Sequence, residues 1–402
     1  MSQRFEQAAP VLHILNEAGY AAYFVGGSVR DFYLGRDIAD VDIATSATPH
    51  QVMDLFDKTF PIGIEHGTVL VRFQHNDYEI TTFRSEADYD DFRHPSTVRF
   101  ETSIESDLQR RDFTMNAMAL DKHQELLDPY GGRVDLSKYL LRTVGRANDR
   151  FQEDPLRILR GTRFSAQLGV SPTEVTTSAM QNQAHLLEKI AIERIHTEFT
   201  KLLAGRYLKH GINLLIQTNL HHYLPYMARR SDELLKLGQD HLWQLDTNDQ
   251  RWAACLYRLD LGDDLAFFLK RWRFSKKSSG HIQVLVNGLK TFRREHLTPW
   301  LIYRTGIQAS RQISAIIDLL NSGEGTYVQR VEAMIEQLPI HSRAELFVDG
   351  HDLVCWIEQK PGPWIAEALE RIEKAVTSHQ VLNQSDAIRR WVETCLKPEM
   401  KF

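Results

Sequence analysis

A Gly-Gly turn followed within a few residues by two carboxylates constrains this chain more than any other feature of its 402 residues. The turn lies in Tyr23-Phe-Val-Gly-Gly-Ser-Val-Arg-Asp31 and the carboxylates in Asp40-Val-Asp42. Gly26 and Gly27 let the backbone come close to a phosphate, Ser28 can donate from its hydroxyl, and Arg30 can reach a phosphate oxygen. Asp40 and Asp42 stand at i and i+2 in an apolar run from Ile38 to Ala44. That spacing predicts a strand with both carboxylates on one face. There they can share Mg²⁺ ions, which lower the pKa of an attacking hydroxyl and neutralise a leaving pyrophosphate. Either motif alone also describes a tight turn with solvated aspartates. Their order and spacing favour in-line chemistry at a triphosphate.

The chain is long enough for roughly two to four compact units. With 43% hydrophobic and 25% charged residues and a net charge of −5, it reads as a globular protein. No apolar run is long enough to span a bilayer, and Met1-Ser-Gln-Arg-Phe-Glu is no signal peptide, so cytoplasmic residence without a membrane partner is expected. Cys255, Cys355 and Cys395 are far apart, which argues against a disulfide framework or a zinc site. The acidic total does not exclude nucleic acid, because binding depends on local patches and the arginines here are clustered.

An amphipathic segment from Phe5 to Ala18 stops at Gly19, as a helix does. Strands are predicted at Ala21–Val25, Val41–Ala44, Thr68–Phe73, Tyr78–Thr82 and Met118–Leu120, with a helix capped by Thr48-Pro49 between the second and third. Beyond Val144 apolar residues recur at helical spacing, broken near Gly205, Ser278-Ser-Gly280 and Thr298-Pro299. The expected fold is α+β: a small N-terminal α/β head ending near Gly131-Gly132, then an all-helical remainder. The divisions expected are a head over 1–140, a neck over 141–205, a body over 206–297 and a tail over 298–402.

Two further clusters carry chemistry. In Arg110-Arg-Asp-Phe-Thr-Met-Asn-Ala117, Ser106 or Asp107 can cap a helix bearing the paired arginines, with Arg111 as a phosphate clamp. A structural pairing of arginine with Asp112 is the bland alternative. In Glu153-Asp-Pro-Leu-Arg-Ile-Leu-Arg-Gly-Thr-Arg-Phe164, Pro155 fits the first helical position. Asp154 then lies at the N-cap, with Arg157, Arg160 and Arg163 forming a ridge at i+3 spacing. A carboxylate beside a guanidinium presents an acceptor next to a donor. That matches the amine and ring nitrogen of cytosine or adenine, and opposes uracil and guanine. Alternatively, Asp154 only caps the helix and the ridge is a solvated face.

Motif by motif, these clusters resemble the class II tRNA nucleotidyltransferases, or CCA-adding enzymes, of the polymerase-beta-like superfamily. Gly-Gly-Ser-Val-Arg-Asp31 with Asp40-Val-Asp42 is similar to the metal and triphosphate motif, and Arg110–Ala117 to the motif that meets sugar and phosphates. Glu153-Asp-Pro-Leu-Arg157 resembles the amino-acid template that selects the base, and Glu193-Arg-Ile-His-Thr-Glu198 the helix that braces it. These carriers lie within about the first half of the chain. The resemblance implies addition of C, C and A to the tRNA 3′ end from CTP and ATP. It places Gly27, Arg30, Arg111, Asp154, Arg157, Arg160 and Arg163 on the nucleotide and Mg²⁺ on the catalytic Asp40 and Asp42. Glu79 is a candidate third carboxylate, with an outward-facing glutamate on an edge strand as its alternative.

Arg84-Ser-Glu-Ala-Asp-Tyr-Asp-Asp-Phe-Arg-His-Pro95 reads as an irregular, mobile loop beside the site. It resembles the loop that full CCA enzymes use in switching from C to A and that CC-only relatives lack. Poly(A) polymerases resemble the head and neck but usually carry a long basic extension, whereas this chain stops at Lys397-Pro-Glu-Met-Lys-Phe402. Poly(A) or A-only synthesis is therefore the second expectation. A non-catalytic RNA-binding module would need no metal carboxylates. For tRNA contact the candidates are Lys270-Arg-Trp-Arg-Phe-Ser-Lys-Lys277 and Arg293-Arg294, though Trp272 and Phe274 also read as core residues. Asp240-His241 reads as incidental rather than as a metal dyad. The residues leave the oligomeric state open, a homodimer included.

Overall fold

Phe5, Ala8, Val11, Leu12 and Leu15 recur at helical spacing and are fully buried, which seats helix α1 (Gln3–Glu17) on the sheet, with Phe5 stacked on Phe24 at 4.7 Å. The structure is a computed structural model, described over residues 3–89, 95–321 and 325–396. Within it the chain divides into two compact units, one of residues 1–239 with 271–273 and the other of the remainder.

The first unit begins with β1 (Ala22–Val25), α2 (Gly27–Tyr33), β2 (Asp42–Thr45) and α3 (Pro49–Leu55). Thr48 caps α3 in a reciprocal capping box with Gln51. Then come β3 (Thr59–Gly63), β4 (Thr68–Phe73), β5 (Asn76–Thr82), β6 (Arg84–Tyr89), β7 (Pro95–Phe100), α4 (Ile104–Gln109), β8 (Ala119–Leu120) and β9 (Leu126–Leu127). Seven strands form one sheet in the order β3-β4-β5-β2-β1-β8-β9. In it β2 runs parallel to β5 and antiparallel to β1. Val25, Ala44, Phe83, Leu108, Ala119 and Val144 share one buried cluster and fix the sheet against α4.

Helix α5 (Gly132–Ser137), the short β10 (Leu140–Leu141), α6 (Ala147–Glu153) and α7 (Leu156–Leu168) follow. The two-residue β11 (Ser171–Pro172) pairs with β10, and α8 (Glu174–Gln183), α9 (Ile192–Leu203), α10 (Leu208–Gln217) and α11 (Ser231–Leu237) complete the unit. The second unit is helical: α12 (Asn248–Leu259), α13 (Leu265–Arg271, whose last residue belongs to the first unit), α14 (Lys276–Arg294), α15 (Pro299–Thr305), α16 (Ile307–Leu320), α17 (Thr326–Glu336), α18 (Gly350–Ile357), α19 (Trp364–Thr377) and α20 (Ser385–Trp391). Among the described residues no helix is long and apolar enough to cross a membrane.

The α+β expectation holds, with four local corrections. Asp40 lies in the loop ahead of β2, so the two aspartates are not alternate residues of one strand. Ser278-Ser-Gly280 falls inside α14, whose true start is capped by the Ser275 hydroxyl. The segment after Phe83 is an antiparallel hairpin, β6 with β7, rather than an irregular loop; residues 90–94 lie outside the described residues. A strand does occur beyond Val144, the two-residue β11, too short for a periodic signal.

Candidate active site

The residues at the β1–α2 junction could adopt their conformation only with glycine. Gly26 has φ +73°, and a Cβ there would stand 3.0 Å from Arg111 Nη1 and 3.5 Å from Asp42 Oδ2. The turn therefore draws a cation and a carboxylate close to bare backbone. Arg30, one turn into α2, is held flat by Asp31 and by Asn116 Oδ1 at 2.8 Å. A cavity of about 520 Å³ opens here, lined among others by Gly27, Arg30, Asp42, Arg111, Asp154, Arg157, Arg160 and Arg163.

Asp42 starts β2 and stands opposite Glu79 of β5. Because β5 lies inside the sheet, Glu79 is not on an edge strand. Asp42 is reachable by solvent yet recessed among protein atoms. Desolvation, then Glu79 and Asp40, raise its pKa to about 6 against the pull of Arg111. Asp40 itself does not line this cavity; it faces a neighbouring cleft with Arg72 and Tyr78, and reaches Asp42 only through its charge. Among the described residues no three acidic, His or Cys side chains already form a cation cage. Carboxylates that repel one another are nonetheless the donor set for Mg²⁺, which is held by one or two carboxylates and completed by substrate phosphates and water.

The paired arginines sit at the C-terminal end of α4, not on a helix capped by Ser106 or Asp107. Asp107 is fully buried inside that helix and binds both, at 2.7 Å to Arg110 and 3.0 Å to Arg111. Burial opposes its ionisation, but the two guanidinium groups hold its carboxyl below the usual range. Asp112 pairs instead with Arg160, at 2.6 Å.

Asp154 closes α6 as its C-cap, and Pro155 rather than Asp154 takes the N-cap position of α7, which starts at Leu156. Asp154 Oδ1 accepts from Leu156 N at 3.1 Å and its Oδ2 from Arg194 of α9 at 2.7 Å. Arg157 donates to Glu153 and to the carbonyls of Arg110 and Arg150. Asp154 and Arg157 thus line one cavity without their side chains pairing, and each side chain is fixed by other residues. The ridge is no solvated face: Arg157 is 8% and Arg163 9% exposed. Glu198 of α9 lies 2.7 Å from Arg163, so α9 braces the ridge at both ends through Arg194 and Glu198.

Three family models match the chain. They are a poly A polymerase head domain over residues 22–142, a probable RNA- and SrmB-binding site of polymerase A over 169–231, and a putative tRNA nucleotidyltransferase domain 2 over 243–392. CCA-adding enzymes of Bacillus cereus (strain AH820) and Bacillus anthracis (strain CDC 684 / NRRL 3495) are 43% identical over 397 residues, covering 98% of this chain and 99% of each relative. This chain belongs to the CCA-adding enzyme family. The Bacillus stearothermophilus CCA-adding enzyme, solved in complex with CTP, superposes with a TM-score of 0.93 at 35% identity over 99% of both chains. The Thermotoga maritima CCA-adding enzyme complexed with tRNA shares the fold, with a TM-score of 0.66 at 19% identity over 98% of this chain and 96% of that one.

Enzymes of the CCA-adding family generally use divalent metal ions, in keeping with the donor set around Asp42. Sequence reasoning missed Asp31, Asp107, Asn116 and Phe164, all of which hold arginines of the cavity. Three of these lie inside motifs already singled out and the fourth, Asp107, stands beside one, but a buried acid and a solvated one look alike in a sequence. Trp272 is core, fully buried and donating to Pro225 O, while Phe274 packs edge-on against Trp252. Asp240 is occupied by Arg258 through two hydrogen bonds and is no metal dyad. Cys255, Cys355 and Cys395 are free thiols.

Proposed function

We propose that this chain adds C, C and A to the tRNA 3′ end from CTP and ATP, releasing pyrophosphate without a nucleic-acid template. The observation that carries the reading is the placement of Asp154 and Arg157, their side chains fixed by other residues, in the cavity that also holds Arg30, Arg111 and Asp42. An acceptor and a donor with fixed positions suit the amine and ring nitrogen of cytosine and adenine and oppose those of uracil and guanine. The CTP complex of the Bacillus stearothermophilus relative is in keeping with this.

On this reading the terminal ribose hydroxyl attacks the α-phosphate, and the bond to the β-phosphate breaks. The Gly27 backbone and Arg30 hold the triphosphate, with Arg111, Arg160 and Arg163 taking up its charge. Asp42, with Asp40 and Glu79 nearby, would hold Mg²⁺. When bound, Mg²⁺ supplies a lower hydroxyl pKa and neutralises the leaving pyrophosphate. Residues 1–140 then serve catalysis, 141–205 base recognition and 298–402 tRNA binding, with 206–297 between. The reaction takes place in the cytoplasm.

The test is incubation with tRNA lacking its 3′ end, each NTP supplied singly and in combination, and sequencing of the ends. Ends in CCA are expected. Runs of A would replace this reading by poly(A) synthesis, and tRNA binding with no incorporation would make the chain a binding module.

A further inference from the structure

Seven arginines line the cavity, and six of them have a hydrogen-bonded partner. Arg30 binds Asp31 and Asn116, Arg110 and Arg111 bind Asp107, Arg157 binds Glu153, Arg160 binds Asp112 and Arg194 binds Asp154. Arg163 differs. Its Nε lies 2.7 Å from Glu198 Oε2, but the two are not aligned for a hydrogen bond, and both atoms are buried with no such partner. Charge proximity is there without the directional bond.

What orients Arg163 is a ring. Its guanidinium carbon lies 4.0 Å from the centroid of Phe164, the closest of three cations over that ring. Arg30 and Arg160 each approach to 5.4 Å. Phe164 is 2% exposed and is itself held edge-on by Phe113 at 5.8 Å. The negative π-face attracts cations without using up any N–H. A carboxylate would occupy those donors; a ring leaves them free. Arg30 belongs to the glycine-turn helix, so the ring gathers cations at the anion end of the cavity rather than beside Asp154.

We propose that Phe164 is a positioning residue for the triphosphate: it holds Arg163 by its face so that the guanidinium edge stays free for the β- and γ-phosphates. This rests on the nucleotide site described above. Burial, with Arg160 and Arg30 adding to it, lowers the Arg163 pKa to about 10 against the pull of Glu198, and the group remains a cation at neutral pH. Misaligned Glu198 supplies counter-charge while leaving the donors to the ligand.

The experiment is calorimetric titration of the full chain with CTP and with CMP in Mg²⁺, without tRNA, for wild type, Phe164→Leu, Phe164→Tyr, Arg163→Ala, the double variant Phe164→Leu/Arg163→Ala, and Arg111→Ala. Phe164→Leu should weaken CTP about three- to thirtyfold, the range of a desolvated cation–π contact. It should weaken CMP by less than about twofold, because CMP lacks the phosphates in question. Phe164→Tyr should restore CTP binding, and Phe164→Leu should add nothing once Arg163 is Ala. Additive losses in the double variant, or equal losses for CTP and CMP, would reduce Phe164 to a packing residue. If Arg111→Ala weakens CTP while Phe164→Leu does not, the proposal falls and the nucleotide site stands. If neither changes CTP affinity, the nucleotide site itself is misplaced. Should Phe164→Leu melt early, Phe164→Trp keeps both bulk and π-face, and wild-type CTP affinity there is expected; loss of CTP binding in a folded Phe164→Trp would count against the proposal.

Discussion

Asp42 and Glu79 stand directly opposite each other on the parallel strands β2 and β5, and the Glu79 charge makes ionisation of Asp42 harder in a cavity otherwise rich in arginine. Replacing Asp42 by Ala should lower incorporation of both CMP and AMP by about a hundredfold or more, since on the proposed reading both nucleotides share one site. Wild-type incorporation of either nucleotide by the variant would remove Asp42 from catalysis.

The same pair fixes a pH response. Asp42 titrates at about 6 in the folded, metal-free chain against 3.8 ordinarily. Between those values the native state holds a proton that the unfolded chain has lost, so the contribution of this group to stability falls as pH rises through the window. Asp42→Asn removes the repelled charge. Its melting temperature at pH 8 without added metal should equal or exceed that of wild type, and a clear drop would show that the carboxylate is a structural anchor.

Asp154 carries base selection on the proposed reading, and Arg194 holds it. Asp154→Ala should relax discrimination against UTP by roughly tenfold to a hundredfold, the loss of one charged hydrogen bond of about 1.5–3 kcal/mol. Arg194 also loses its acid, so some stability is lost along with the hydrogen bond from Leu156 N, worth about 1 kcal/mol. Steady-state competition between CTP and UTP checks this. Unchanged selectivity with a lowered melting temperature would leave Asp154 a structural residue only.

The glycine turn, the α3 capping box and five strands were legible because each has a local cause: a φ only glycine tolerates, a reciprocal side-chain bond, an alternation of apolar residues. The cleft residues were legible as residue types in order. Their partners were not. Arg111 reaches Asp107 rather than Asp112, and Arg157 reaches Glu153 rather than Asp154, because pairing is decided by where α4, α7 and α9 pack. Asp40 fell outside β2 for a related reason: strand pairing to β1 starts only at Asp42, opposite Val25.

Pairing of β6 with β7 makes the segment after Phe83 a hairpin. Deleting Asp88–Arg93, part of which lies outside the described residues, should leave C addition largely intact and stop products at CC. On the proposed reading, the adenine step requires the base-reading groups to be re-set for a larger ring. Primer-extension products separated at single-nucleotide resolution decide the matter, and equal loss of C and A addition would make the hairpin part of the general fold.

Asp112 ties the head to the arginine ridge and should dominate acid sensitivity of the first unit. Its Oδ1 accepts from Phe113 N and Asn116 Nδ2, and its Oδ2 from Arg160, with 7% of the residue exposed. Burial disfavours the charge, but Arg160 and Asn116 hold the carboxyl well below the usual carboxylate range. Breaking such a buried pair from one side costs about 3–5 kcal/mol, so Asp112→Ala should be strongly destabilised at pH 7. A depressed pKa means the stabilisation is fully present above the unfolded value of 3.8 and is lost as pH falls toward the folded one. Urea denaturation of wild type and Asp112→Asn should therefore show a gap that is constant from pH 8 to about pH 5 and narrows below about pH 4. A gap that widens in acid would mean that the protonated carboxyl, not the ion pair with Arg160, is what holds the two elements together.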